Sequence, residues 1–433
     1  MRAGPRGYTT LHSRYNTTHR HIDTNLESSL AIKRLNAEEL EIGMYVSRLD
    51  RPWRETNFMF QGFHIVDQTE IEEIRQQARH VYILVPDEEI EVASGPHPVE
   101  AAAADPGPAD RRPAAARRTP LEQEITQARR SHEQVANLMQ EVESALTTNE
   151  ELDLPRVKQT IGYMVRSIER NPDAYALLTR IKRFSSYTYN HSLTASVWAT
   201  AFARQLEMDE QAMSDIALGT LLMDVGMTRL PAGILQKTSR LTHEEWEVVK
   251  THVRHSMSMI SGVSGISNDV LQIVATHHER LDGSGYPRGL RGNSIPLLGQ
   301  MAGVVDFYTA ITTPRPFMKA VSPSTALQML YKQRGFYFSD GLVGAFIQTL
   351  STYPTGSLVE LNTGQVGIVS SQNPGWLLRP KLILLLDENK QPYGSFPVVN
   401  LLEELTDPRG QPLYITRSLA ENEYDIDVEQ ISV

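Results

Sequence analysis

The sequence predicts a multidomain, mainly α protein, with a small α/β unit ahead of the helices and a small β extension after them. Three observations carry that expectation. Residues 151–350 set apolar side chains at helical spacing almost throughout. Residues 355–405 break into short apolar runs separated by turn residues. Residues 91–120 are so rich in Ala, Pro and Arg that they read as a linker. A length of 433 residues also points to two or three domains.

Taken in order, residues 1–30 are polar and mildly basic without apolar periodicity, and a disordered leader holding His12, His19 and His21 is expected. Residues 31–90 read as the α/β unit. "IGMYVSRL" and "HVYILV" are rich in β-branched and aromatic residues that suit strands. Between them, "DQTEIEEIRQQA" spaces Ile71, Ile74 and Ala78 as a helix does. After the linker, residues 121–150 place Ile125, Val135, Leu138 and Val142 on one side of a connecting helix; pairing in a homodimer is the alternative. Beyond the helical region, "VELNTGQVGIV" and "LILLLDENKQPYG" suggest strands joined by tight turns, and 406–433 reads as an acidic, solvated tail.

Composition narrows the chemistry. A net charge of −10 disfavours binding to a nucleic-acid polymer, because phosphate contacts need cationic surface. There is no cysteine, so any metal must be held by imidazole and carboxylate. No apolar run approaches the ~18–20 residues that span a bilayer, and the first residues lack an apolar signal core, so a cytoplasmic protein is expected.

Histidines and aspartates recur at the ends of successive helices. His191 opens a segment whose Val197, Ala201 and Leu206 face a core. Asp224 closes the next, which Gly226 ends. Thr242 and Glu245 form a capping-box pair before a helix with Trp246, Val249, Val253 and Met257 on one face and His252 at its border. Asn268 is expected to cap the helix that delivers His277 and His278. Pro296 suits the first turn of a helix that is apolar nearly all round yet contains Asp306. A carboxylate in that setting is costly unless it is paired, hydrogen-bonded or bound to metal. Such a donor set suits Fe, Mn or Zn better than Ca or Mg. Two metals bridged by a carboxylate can cleave phosphate esters.

The stretch "HHERLDGSGYP" (277–287) sets His277, His278 and Asp282 before Gly285-Tyr286-Pro287. With "ILQKTSRLTHEEWEVVKTH" and "MAGVVDFYTAITTPRPF", it makes residues 187–345 resemble an HD-GYP domain, a branch of the HD metal-dependent phosphohydrolases. Residues 36–86 resemble the small N-terminal domain often joined to HD-GYP domains in bacteria, and 355–404 are similar to β extensions that follow them. The resemblance implies an HD-type helical bundle that hydrolyses cyclic di-GMP, a bacterial second messenger, to linear pGpG or GMP. It implies two divalent metal ions, Fe or Mn, held by His191, Asp224, His252, His277, His278 and Asp306, with Asp224 bridging and Asp224 and Asp306 catalytic. It also places Asp282, Gly285, Tyr286, Pro287, Arg315 and Lys319 on the substrate side.

This chain departs from the family pattern at two positions. Met223 stands where the family's His-Asp doublet has histidine, and Met227 where it usually has lysine. Tyr187 takes the place of the glutamate of three-metal members, so a third metal is not expected. One metal keeps Asp224, His252, His277 and His278; the other keeps only His191, Asp224 and Asp306. Two function classes therefore compete: a phosphodiesterase with one weakened metal site, and a degenerate HD-GYP protein that binds cyclic di-GMP or a signalling protein partner without hydrolysis.

Overall fold

The computed structural model describes residues 30–41, 44–51, 63–65, 68–86, 118–148, 150–182, 187–314, 319–373, 376, 378–404, 406–407, 409–410, 413–420, 423–424 and 426. The leader and most of the linker lie outside the described residues.

Strands β1 (Leu30–Asn36), β2 (Tyr45–Leu49), β3 (Phe63–His64) and β4 (His80–Pro86) form an antiparallel sheet in the order β1-β4-β2-β3. Helix α1 (Gln68–Gln77) lays Ile71 and Ile74 on it, and these pack with Ala78, Val46, Val81 and Ile83 into a separate small core. The expected helix and two of the strands are thus present. β1 was not anticipated. Lys33 and Arg34 interrupt its apolar run, and its pairing to β4, from Leu30↔Pro86 to Asn36↔His80, joins residues far apart in sequence.

The helical body begins earlier than composition suggests. Thr119, assigned to the linker, donates its N–H to the Arg170 carbonyl at 3.2 Å, and Arg118 meets Asp173 at 3.4 Å. Helix α2 (Leu121–Thr148) is an integral member of this body. It buries Ile125, Val135, Leu138 and Val142 in the main core, packed against α3 (Leu154–Arg170) and α4 (Pro172–Ile181). The apolar stripe that could have paired with a second copy is covered within the chain. Glu124, buried on this face, is compensated by a bidentate bond from Arg170 (2.7 and 2.8 Å) and a hydroxyl from Ser167 at 2.8 Å.

The C-terminal sheet runs β8-β7-β6-β5-β9, from β5 (Leu358–Leu361), β6 (Val366–Ser371), β7 (Lys381–Leu386), β8 (Val398–Asn400) and β9 (Ile415–Ser418). Alternate residues serve two cores. Leu358, Val366, Ile368, Ile383 and Leu385 meet Leu177 and Ile181 of α4, while Val359, Leu361, Val369, Leu382 and Leu384 meet Val399, Leu401, Leu413 and Ile415. Burial of both faces explains the unbroken run "LILLL". The tail expectation needs correction here: Ile415–Ser418 pairs with β5, so the sheet extends into 406–433.

No helix among the described residues is long and apolar enough to cross a membrane.

Candidate metal centre

Five elements converge on one point. Helix α5 (Tyr187–Gln205) carries His191 in its second turn. Helix α6 (Glu210–Leu222) ends with Met223 as its cap, and Asp224 follows before a short 3-10 turn, Val225–Arg229, and the single-turn helix α7 (Ala232–Leu235). Gly226 is therefore inside that turn and does not end α6. Its role is close approach: a Cβ there would lie 2.2 Å from the His252 carbonyl oxygen and 2.4 Å from the Ser256 nitrogen. Ser256 fastens the same turn by donating to the Met223 carbonyl at 2.7 Å and accepting the Gly226 N–H at 2.8 Å.

The run containing His252 is two helices, α8 (His243–Lys250) and α9 (His252–Ile260), not the single face that its spacing suggests. The Thr242–Glu245 capping box is present. The break at Thr251 leaves Trp246 43% exposed while Val253 is fully buried, and it puts His252 at the start of α9, aimed at Asp224. Helix α10 (Asn268–Thr276) is capped by Ser267, one residue before Asn268, because the serine hydroxyl accepts the Val270 N–H. His277 caps the other end and His278 follows it. Helix α11 (Leu297–Thr312) supplies Asp306 from its middle.

Asp224 faces two ways. Its Oδ1 lies 3.2 Å from His252 Nε2 and 3.8 Å from His277 Nε2, while Oδ2 lies 3.3 Å from His191 Nε2. Asp306 Oδ1 is 3.1 Å from the same His191 nitrogen, and its Oδ2 is 3.4 Å from His278 Nδ1. The donor atoms form two sets able to hold a metal, Asp224–His252–His277–His278 and His191–Asp224–Asp306, and Asp224 belongs to both.

Local hydrogen bonds orient the imidazoles. His252 Nδ1 donates to the Val249 carbonyl at 2.7 Å, and His277 Nδ1 to that of Val274 at 2.9 Å. In each ring this leaves Nε2 as the atom offered to the shared centre. Burial pushes the Asp224 carboxyl up, but hydrogen bonds from His191 and His252 outweigh it and hold the group well below the usual carboxylate range. Asp306 is likewise lowered: burial opposes this, but electrostatic attraction from the adjacent His278 ring and the His191 hydrogen bond prevail. Burial lowers His277 and, together with the neighbouring His277 ring, lowers His278 strongly. His252 is the exception: burial opposes its charge, yet the bond to Asp224 raises its pKa. The site thus presents two anionic carboxylates and, in His277 and His278, imidazoles held neutral, the form that binds a divalent cation.

Above this centre the 277–287 loop is held from below. Glu279, nearly fully buried, accepts the N–H groups of Arg288 (2.9 Å) and Leu290 (2.8 Å). Arg280 donates to the carbonyls of His277 and Glu279, and its guanidinium lies 4.8 Å from the Phe338 ring centre. Gly285 is forced, since a Cβ would sit 2.4 Å from the Arg280 nitrogen and 2.5 Å from the His278 oxygen. That approach lays the Tyr286 ring on His278, with centroids 4.6 Å apart and planes 29° apart. Pro287 follows through a cis peptide. Asp282 closes a local turn by accepting the Ser284 N–H and hydroxyl. Lys319 is exposed, and Arg315 lies outside the described residues.

Glu279 and Ser256 were not singled out from the sequence, although an acid directly after paired histidines and before a Gly-rich loop is a usable signal. Glu279→Ala removes the acceptor for two loop N–H groups and is expected to destabilise the fold by about 2–4 kcal/mol. Amide exchange at Arg288 and Leu290 should accelerate while that of the α5 core is retained. Unchanged exchange at both amides would show that Glu279 does not hold the loop.

The chain is similar to several known proteins. Residues 176–341 match an HD domain, 32–157 a domain of unknown function (DUF3391), and 358–426 a KOW domain associated with HD domains. A cyclic di-GMP phosphodiesterase of Pseudomonas aeruginosa is 31% identical over 363 residues, covering 81% of this chain and 84% of that protein. A cyclic di-GMP phosphodiesterase response regulator of Xanthomonas campestris is 30% identical, over 52% of this chain and 56% of its own length. Among solved structures, an HDG"Y"P protein from Bdellovibrio bacteriovorus is similar at 15% identity and a TM-score of 0.40, covering 74% of this chain and 99% of that one. The extent of the Pseudomonas match, joined to the histidine–aspartate centre and its Gly-Tyr-Pro loop, places the chain in the HD-GYP family of HD-domain proteins.

Proposed function

We propose that this chain is a metal-dependent phosphodiesterase that hydrolyses cyclic di-GMP to linear pGpG or GMP in the bacterial cytoplasm, with two divalent ions, Fe or Mn, as its cofactors. The observation that carries this reading is the division of Asp224, whose two oxygens face different ligand sets. The names of the Pseudomonas and Xanthomonas relatives supply the substrate class. A mixed nitrogen and oxygen donor set fits Fe or Mn, and the Nδ1–H bonds to Val249 and Val274 leave Nε2 lone pairs for them. When bound, such ions supply Lewis acidity toward a phosphoryl oxygen and toward water.

The protein's own side chains do the rest. His252, His277 and His278 with Asp224 make the four-ligand half, and His191 and Asp306 with Asp224 make the three-ligand half. Tyr286, stacked on His278 and met edge-on by Trp246 at 6.4 Å, forms an aromatic shelf against which a guanine base can lie. Gly285, Pro287 and Asp282 set that shelf's height. Arg315 and Lys319 are assigned to the substrate phosphates.

A second reading, nucleotide or partner binding without turnover, is favoured by Met223. It fills the position of the family's histidine, and it is fully buried within the main hydrophobic core. A thioether there is a poor donor for Fe or Mn. Anaerobic incubation of the full chain with Mn(II) or Fe(II), followed by chromatography of cyclic di-GMP, separates the two. Linear product from the parent, absent with His278→Ala, supports hydrolysis. Tight nucleotide binding without product sinks it and leaves a receptor.

A further inference from the structure

The break between α8 and α9 sends neighbouring residues to different tasks. His252 opens α9 and turns inward to Asp224, while Lys250 closes α8 on the rim of the centre. A cation in the last turn of a helix is favoured by the helix dipole. From there the Lys250 ammonium lies 5.8 Å from the centre of the Tyr286 ring, within reach of a cation–π contact. His252 meets the same ring edge-on at 6.3 Å, and His278 stacks on it. Lys250 therefore belongs to one cluster with two of the proposed metal ligands.

The ammonium is held without being used up. Its ion-pair partner among the described residues is Glu247, at 2.6 Å and one turn back on α8. An ammonium carries three N–H donors, and this carboxylate oxygen takes one of them. The Lys250 side chain is 27% exposed and that of Glu247 50%, and pairs so open to water hold their members weakly. Lys250 can turn to a guest on Tyr286 with or without leaving Glu247. Arg280, by contrast, spends its guanidinium on the carbonyls of His277 and Glu279 and on the Phe338 ring.

We propose that Lys250 reads the base: with a guanine on the Tyr286 shelf, its ammonium donates to O6 and N7 and selects guanine over adenine. This inference rests on the nucleotide reading of the site given above. The Tyr286 ring is half-buried with one face on His278, so a base stacks on the side that remains. Offset stacking, with ring centres about 4.5–7 Å apart, brings the base edge within the swing of an ammonium 5.8 Å from the Tyr286 centre. Guanine shows two acceptors, O6 and N7, on the edge where adenine sets one acceptor, N7, beside the N6 amino donor. An ammonium only donates, so it satisfies both guanine atoms and meets adenine's amino group hydrogen to hydrogen. Stacking on Tyr286 cannot make this distinction, because every base has a π-face. Lys250 supplies what the shelf lacks.

The test compares cyclic di-GMP with cyclic di-AMP on the Mn-loaded full chain, by calorimetry for affinity and by chromatography for kcat/KM. The parent should favour the guanine dinucleotide by about 10-fold or more. Lys250→Met should erase most of that preference, weakening cyclic di-GMP about 10-fold while cyclic di-AMP changes by less than about 3-fold. Lys250→Arg, which presents donors to the same two acceptors, should keep the preference. Equal losses on both dinucleotides would put the ammonium on a phosphate and overturn the inference. So would no change with either, or a parent that takes both equally; each of these leaves the nucleotide reading standing. A parent that binds neither dinucleotide would sink that reading and this inference with it.

Discussion

Asp224→Asn is expected to reduce hydrolysis of cyclic di-GMP by about 10³-fold or more while leaving the fold in place. The size of the effect follows from position. Asp224 alone belongs to both ligand sets, so one oxygen-to-amide change removes a donor from each. An amide nitrogen would point N–H groups at His252 or His191 where an anionic oxygen now sits, 3.2 and 3.3 Å away. It also deletes half of the negative charge that Asp224 and Asp306 bring to the centre. Shape is nearly unchanged, so circular dichroism should overlay on the parent. Asp282→Asn is the matched control: its carboxylate serves the Ser284 turn and no ligand set, and a loss under about 10-fold is expected. Turnover by Asp224→Asn within about 10-fold of the parent would place the chemistry elsewhere.

Met223→His should move the other way, tightening metal at the three-ligand half by about 10- to 100-fold and raising turnover with it. Residue 223 immediately precedes Asp224, and Ser256 ties its carbonyl to α9, so the backbone is already fixed beside the centre. The substitution introduces a polar ring at a fully buried position, which costs about 1–3 kcal/mol unless the ring finds a partner. The metal-free variant should therefore melt below the parent, and added Mn(II) should raise its melting temperature more than it raises the parent's. Equal shifts in the two proteins, with no gain in turnover, would show that the position does not reach the metals.

What the sequence disclosed, and what it hid, follows from the range of the interactions. The six metal-competent residues were legible because imidazole and carboxylate recur at successive helix ends and, as Asp306, inside the apolar α11; their grouping as one ligand set came from the HD-GYP resemblance. Helix α1 was legible because Ile71, Ile74 and Ala78 repeat at helical spacing. β9 was hidden in an acidic stretch, since its partner β5 lies more than fifty residues earlier. The break between α8 and α9 has no glycine or proline to mark it. It depends on His252 turning toward Asp224 and on Gly226 pressing against the same backbone. Ser256 and Glu279 act through partners that no local pattern specifies.

In the proposed centre, His191, Asp224, His252, His277, His278 and Asp306 form one cage with a strong and a weak half. Anomalous diffraction from crystals of the full chain grown with Mn(II) tests it most directly. A strong peak is expected among Asp224, His252, His277 and His278 and a weaker one among His191, Asp224 and Asp306. Manganese bound elsewhere on the chain, with neither of these peaks, would contradict it.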